Sequence, residues 1–318
     1  GTPLAEVEAE LAKKGQRLAF EPMDHRPLLG TAGAPTIGGV VAGNVSGPRR
    51  ISVGAARDFL LGVRFVDGAG RIVANGGRVM KNVTGYDLVK LLAGSWGTLG
   101  ILTEVSLKVL AQSAAEVTLI ARDLDARAGI AALSAALTSP YDVSGAAHLD
   151  TGDRPETRVR IEGLSGSVAY RRDALLSGPL AGWEAVEGAE SAALWQEVRD
   201  VLPFAGAEGA VWQVSVKPTD GPEVSAALAE GGLTHRALYD WGGGRVWLLV
   251  PDEPDAGAAA IRAEVASLGG HATLVRAPET TRATVPPFPP RAGAVAALEA
   301  GLRARFDPRG ILNPGLMT

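Results

Sequence analysis

Between residues 112 and 280, the alternation of two kinds of run constrains the fold more than any other feature. Apolar runs of strand length and composition at 117–121, 143–149, 157–162, 211–217, 235–239, 245–250 and 272–276 are interleaved with alanine-rich amphipathic runs at 125–137, 168–176, 223–229 and 256–267. In order they make two βαββαβ-like halves, which predicts a ferredoxin-like α+β domain or an expanded relative of one.

The preceding residues follow a different rule. The segment 30–50, GTAGAPTIGGVVAGNVSGPRR, holds six glycines, and 94–100, GSWGTLG, holds three more. Ordered glycine loses more backbone freedom than any other residue, so this density suggests a surface that something approaches closely. The two clusters read as walls for a flat, phosphate-bearing cofactor; close helix–sheet packing is the plain alternative. Thr36 caps an expected helix at 37–45 that carries Gly39 and Gly43 on one face. Around it the pattern predicts a strand at 17–20, a Pro- and Gly-rich loop at 21–35 and a hairpin of 59–67 with 71–74 about Gly68-Ala69-Gly70. A short helix at 88–93 and a strand at 101–110 follow, and a Pro-rich linker at 280–290 leads to a last helix at 293–306. At the start, Thr2 and Pro3 read as cap and first position of a helix bearing Leu4, Val7 and Leu11 and ended by Gly15. A helix on the first residues, with no initiator Met, leads us to expect a trimmed chain.

Composition narrows the chemistry. The 318 residues are 46% hydrophobic and 21% charged with a net charge of −4, and the pI of about 5.7 argues against nucleic acid or an acidic membrane surface as partner. No apolar run nears the roughly 20 residues of a membrane span, so a cytoplasmic protein is expected. Zero cysteines exclude disulfides, thiolate zinc sites and Cys-ligated clusters. The four histidines (His25, His148, His235, His271) show no metal-ligand spacing, so no metal is expected. Phosphate-loop, GxGxxG and GxSxG signatures are absent from the sequence, which disfavours a Rossmann domain and an α/β-hydrolase.

Five motifs occur in a fixed order: Thr36-Ile37-Gly38-Gly39, Gly47-Pro48-Arg49-Arg50, VMKNVTGYDLVKL at 79–91, GSWGTLGILTE at 94–104 and FDPRGILNPG at 306–315. Together they resemble the FAD-linked oxidases of the vanillyl-alcohol oxidase / p-cresol methylhydroxylase (PCMH) superfamily, and within it the FAD-binding subunits of bacterial glycolate oxidases. The resemblance is dense over 1–111 and clear in the tail; over the middle it rests on element order. It implies an α+β fold: an N-terminally truncated PCMH-type FAD-binding domain at 1–111 whose first lobe is missing, a ferredoxin-like cap at 112–280, and a segment at 281–318 returning to the first domain. It implies FAD as cofactor. By analogy the contacts fall on Thr36, Ile37, Gly38, Gly39, Gly43, Ser46, Gly47, Arg49, Arg50, Tyr86, Asp87, Gly97, Thr98, Gly100, Ile101 and Asn313. In similar proteins the TIGG backbone meets the isoalloxazine and pyrophosphate, Ile101 lies near the adenine–ribose end and Asn313 near the flavin ring. Arg49 and Arg50 are suited to forked phosphate contacts, or else belong to a solvated turn or a subunit contact.

Two departures shape the functional expectation. The resemblance leads us to expect a pyrophosphate-cradling lobe ahead of Gly1, and the HxGDGN-type metal motif and the acidic–His–Gly motif of the 2-hydroxy-acid dehydrogenases do not occur in the sequence. His148, His235 and His271 read as strand-edge residues, not bases. Hydroxy-acid oxidation needs a base or a metal-bound hydroxide beside the flavin. The resemblance therefore implies an FAD-binding subunit whose partners are a catalytic FAD-linked oxidase subunit and an iron–sulfur subunit, peripheral to the inner membrane through them, acting on a small 2-hydroxy acid. Two other readings stay open. One is a self-sufficient oxidoreductase with Tyr239, Lys81 or a histidine as base; the other is a scaffold with a degenerate flavin site.

Overall fold

A computed structural model describes residues 1–80, 85–152, 154–291 and 293–316. The N-terminal unit runs α1 (Leu4–Ala12), β1 (Gln16–Arg17), α2 (Arg26–Leu29), α3 (Ile37–Ala42), α4 (Arg50–Val53), α5 (Ala56–Phe59), β2 (Leu60–Val66), β3 (Ile72–Gly76), α6 (Leu88–Leu92), β4 (Ile101–Leu107) and β5 (Leu110–Ala111). Strands β3-β2-β4 form an antiparallel sheet. Its inner residues Val63, Phe65 and Leu60 pack on Val41 of α3 and on Val89 and Leu92 of α6.

The second unit runs β6 (Ala115–Arg122), α7 (Ala126–Leu137), β7 (Val143–Asp150), β8 (Glu156–Gly163), α8 (Ser165–Leu176), β9 (Glu184–Glu187) and α9 (Gly188–Arg199). It continues with β10 (Ala210–Ser215), α10 (Gly221–Glu230), β11 (Arg236–Asp240), β12 (Arg245–Val250), α11 (Ala258–Ser267) and β13 (His271–Arg276). All eight strands join in one sheet of order β13-β10-β12-β11-β7-β8-β6-β9. Each half has its own fourth-first-third-second order, and the halves meet where Tyr239 of β11 pairs with His148 of β7. The expanded ferredoxin-like reading thus describes a duplication fused edge to edge. Helices α7, α8, α10 and α11 cover one face of the sheet over a core that includes Ile130, Leu133, Val168, Leu175, Val224 and Ile261. The other face turns toward the N-terminal unit, where Trp195 and Val198 of α9 and Met23 and Leu28 of the N-terminal unit pack on Leu149, Leu238 and Trp247.

After β13 come α12 (Glu279–Arg282) and α13 (Gly293–Phe306). The tail docks back on the first unit: Gly68 N donates to the Phe306 carbonyl at 2.8 Å, and the Phe65 and Phe306 rings lie 6.1 Å apart.

Several local expectations change. Pro3, not Thr2, stands at the N-cap of α1, because the Thr2 carbonyl accepts from Ile37 N and Pro3 bridges to Thr36. The 17–20 strand shrinks to Gln16–Arg17, paired with Leu110–Ala111, and that pairing ends β4 early. The helix expected to reach residue 45 stops at Ala42. Strand β9 and helix α9 went unread, since β9 is a four-residue edge strand with three exposed residues. His148 is no edge residue: β7 is paired on both sides and the side chain is wholly buried.

Candidate functional site at the glycine walls

Thr36 has extended backbone, and its hydroxyl accepts from Gly39 N at 3.2 Å, which starts α3. Val40 and Val41 point into the core, leaving Gly38 half-buried and Gly39 exposed on the outer side. A side chain at Gly38 would meet nothing within 4 Å, and the Gly38 amide makes no hydrogen bond among the described residues. The second glycine cluster is tied to the end of the same helix: Gly94 N donates to Val41 O at 3.2 Å and Trp96 N to Ala42 O at 2.9 Å. The tail arrives third, with Asn313 Nδ2 donating to Trp96 O at 2.6 Å. Gly97, at φ +72°, needs glycine both for its backbone and because a Cβ there would lie 2.9 Å from Asn313 Nδ2. Asp307 shapes the tail by accepting from Leu312 N at 2.7 Å. Three motifs separated by up to 277 positions therefore share hydrogen bonds, Thr36 through α3 and Trp96 to Asn313. Bare backbone at Gly38 and Gly39 on the helix whose far end meets Trp96, an aromatic 39% exposed, fits a flat cofactor with phosphate oxygens.

The other expected contacts sort by environment. Ile37 is half-buried, and Ile101, Tyr86 and Asp87 are exposed; Asp87 also caps α6 through Lys90 N at 3.0 Å. Thr98 is buried and donates to Ser95 O at 2.7 Å, while Gly100 packs on the Phe65 ring. Gly43 faces Val45 and Trp96 rather than open space. Lys81 lies outside the described residues.

Ser46, Gly47 and Arg49 turn inward, onto protein groups that already occupy them. Ser46 is buried, its hydroxyl accepting from Ala56 N at 2.9 Å. A Cβ on Gly47 would sit 2.1 Å from the Glu21 carbonyl oxygen, so close approach of two backbones makes this glycine obligatory. Two donors from the second unit grip this turn: Arg245 Nη1 reaches Ser46 O at 2.8 Å and Trp241 Nε1 reaches Gly47 O at 3.0 Å. Trp241→Phe removes one neutral hydrogen bond while Gly47 O keeps Arg50 N at 3.1 Å, so urea unfolding is expected to show a loss of about 1 kcal/mol.

Arg49 enters a carboxylate cluster. Its Nε and Nη2 donate to Glu162 at 2.8 and 3.0 Å, and Nη1 pairs with Glu21 at 3.0 Å. Arg160, wholly buried, donates through both Nη atoms to Glu21 at 3.0 and 2.9 Å. Arg17 Nη1 donates to Glu162 at 2.6 Å. Burial opposes charge on Glu21 and Glu162, yet Arg160 and Arg49 overcome it and hold both carboxyls below the ordinary range. Glu116 at the margin goes the other way, raised by burial. A cavity of about 560 Å³ opens beside the cluster, lined by Glu8, Arg17, Arg49, Glu116 and Arg199 among others, and neither Thr36–Gly39 nor 94–100 lines it. Sequence reading missed Arg160 and Glu162, although Glu156, Arg158, Arg160 and Glu162 stand two apart on one strand and alternate with Thr157, Val159 and Ile161, the signature of one charged face.

Two of the candidate bases lie in the cap core. Tyr239 and His148 face the helix-covered side of the cap sheet, their rings 5.6 Å apart. Burial raises the Tyr239 phenol to about 12 and lowers the His148 imidazole.

Residues 1–76 match the family described as an FAD binding domain. Glycolate oxidase subunit GlcE of Escherichia coli (strain K12) is 36% identical over 318 residues, covering 100% of this chain and 80% of that protein. Glycolate oxidase subunit GlcD of Bacillus subtilis (strain 168) is 41% identical over 95 residues, 29% of this chain and 20% of that protein. Among solved structures, an alkyldihydroxyacetonephosphate synthase superposes with a TM-score of 0.65 at 17% identity, over 98% of this chain and 62% of that one. The chain spans less than two thirds of that structure, and the likeness shows the fold alone.

Proposed function

Because the chain belongs to the family of the glycolate oxidase subunit GlcE, FAD-linked oxidoreductases acting on CH–OH groups, we propose that it is the FAD-binding subunit of a glycolate oxidase-type complex. It works there beside a second FAD-linked oxidase subunit of the GlcD kind and an iron–sulfur subunit, in the oxidation of glycolate to glyoxylate. When bound, FAD supplies the two-electron acceptor for that oxidation. The chain's own residues bind and orient it: Thr36 to Gly39 offer bare backbone, with the Gly38 amide free for a phosphate oxygen, and Gly97 and Asn313 close the opposite side. Ile101, Tyr86 and Asp87 border the same cofactor. The observation that carries this reading is the joining of α3, Trp96-Gly97 and Asn313 by hydrogen bonds. The burial of Tyr239 and His148 on the far face of the cap sheet supports a partner as the source of the base. No helix among the described residues is long and apolar enough to cross a membrane, and we place the complex in the cytoplasm, reaching the inner membrane through its partners.

Reconstitution tests this. The chain incubated with FAD and freed of excess by gel filtration should carry the visible absorption of oxidised flavin, and glycolate should bleach it when the GlcD-type partner is added. A colourless protein overturns the cofactor assignment.

A further inference from the structure

Arg50 follows Arg49 in sequence and differs from it in every contact. It is exposed, and its guanidinium carbon stands 4.4 Å from the centroid of the Trp241 ring. Its backbone N–H donates to Gly47 O at 3.1 Å, while among the described residues its side chain donates no hydrogen bond and has no carboxylate within 4 Å. Arg49, Arg160 and Arg245 spend their forks on carboxylates and carbonyls. Stacking uses only the face of a guanidinium, so its in-plane N–H donors stay open. Trp241 thus holds a free, planar, two-pronged donor in place.

The surroundings favour an anion. His271 of β13, Ser215 of β10, Arg245 of β12 and Asp240 of β11 form one row across the cap sheet, on the face turned toward the N-terminal unit. Asp240 is neutralised by Arg245, whose guanidinium also lies over Trp241, at 4.1 Å. Burial, then the Arg291 and Arg50 charges, lower the His271 imidazole. Arg291 has Glu299 at 3.6 Å. The Trp96 ring, which belongs to the glycine walls, packs at 5.4 Å on Phe288 of the segment leading to Arg291. The segment leading to Arg291 therefore touches the glycine walls through Trp96 and Phe288.

We propose that Arg50, steadied on Trp241 at the junction of the two units, binds the carboxylate of the small 2-hydroxy acid rather than the pyrophosphate of FAD. Its substrate class rests on the glycolate oxidase reading above. A carboxylate accepts two parallel N–H bonds from such a fork, and charge-assisted bonds of this kind are the strong ones.

The test separates the two anions. Sodium glycolate is titrated calorimetrically into the full chain, with and without FAD, against sodium chloride as control; FAD uptake is read from visible absorbance in the same preparations. Arg50→Gln should weaken glycolate binding about 10- to 100-fold with FAD uptake unchanged. Arg50→Lys, a point charge without the fork, should recover part of it. Loss of FAD uptake in Arg50→Gln with glycolate binding intact assigns the residue to the pyrophosphate and overturns the proposal. Equal glycolate affinity in wild type and Arg50→Gln, including none in either, also overturns it. A colourless wild type that still binds glycolate through Arg50 would sink the cofactor reading and leave this one standing.

Discussion

Replacing Arg160 with Met is expected to destabilise the protein by about 3–5 kcal/mol near neutral pH, because it leaves Glu21 and Glu162 buried with one shared cation removed. Arg160 is wholly buried, lies 4.5 Å over the Trp195 ring and bonds Ser144 O at 3.2 Å, so no water can take its place easily. The pH dependence carries the sign. In the wild type both carboxyls lie below their unfolded values, so their contribution is full above the unfolded pKa, near 4.5, and fades as pH falls toward the folded values. In the variant the carboxylates, left with Arg49 and Arg17 alone, ionise less readily, the folded state binds protons, and the deficit should be smaller at about pH 5 than at about pH 8. Chemical denaturation at the two pH values measures this. A deficit independent of pH, or below about 1 kcal/mol, would show that the cluster is solvated.

Gly38→Asp should separate folding from cofactor binding. Position 38 is the second residue of α3, with open space where a Cβ would go. A carboxylate in the first turn of a helix is neutral or stabilising by up to about 1 kcal/mol, so the melting temperature should not fall. The same charge set against phosphate oxygens should weaken FAD binding about 5- to 1000-fold, since two like charges 4 Å apart at a protein surface repel by about 1–4 kcal/mol. The contrast with Gly39 is instructive: a Cβ there would lie 3.3 Å from Thr36 Oγ1 and disturb the cap itself. A Gly38→Asp protein that keeps its flavin would remove Gly38 from the site.

Much of this molecule was legible in one dimension. The two βαββαβ halves could be read from periodicity because each strand and helix buries one face, and that face repeats every two or about 3.6 residues. The motif order pointed to FAD before any contact was known. Less legible were the short elements: α2, α4 and α5 have four residues each, too few for a period to show. The 101–110 run illustrates a different limit, since its alternation continues past Leu107 while its hydrogen-bonding partner changes from β2 to β1.

What the sequence alone determined, then, was where glycine and arginine concentrate and which elements alternate, because those patterns are local. Which glycines meet open space and which meet another backbone was decided by tertiary structure: Gly38 looks out, while Gly47 touches Glu21 from 26 positions away. The same holds for two neighbouring arginines. Arg49 is neutralised by Glu162, 113 residues distant, and Arg50 is left on Trp241 with its donors free. Charge pairing depends on distance in space, and only the docking of the cap sheet on the N-terminal unit brings those partners within reach.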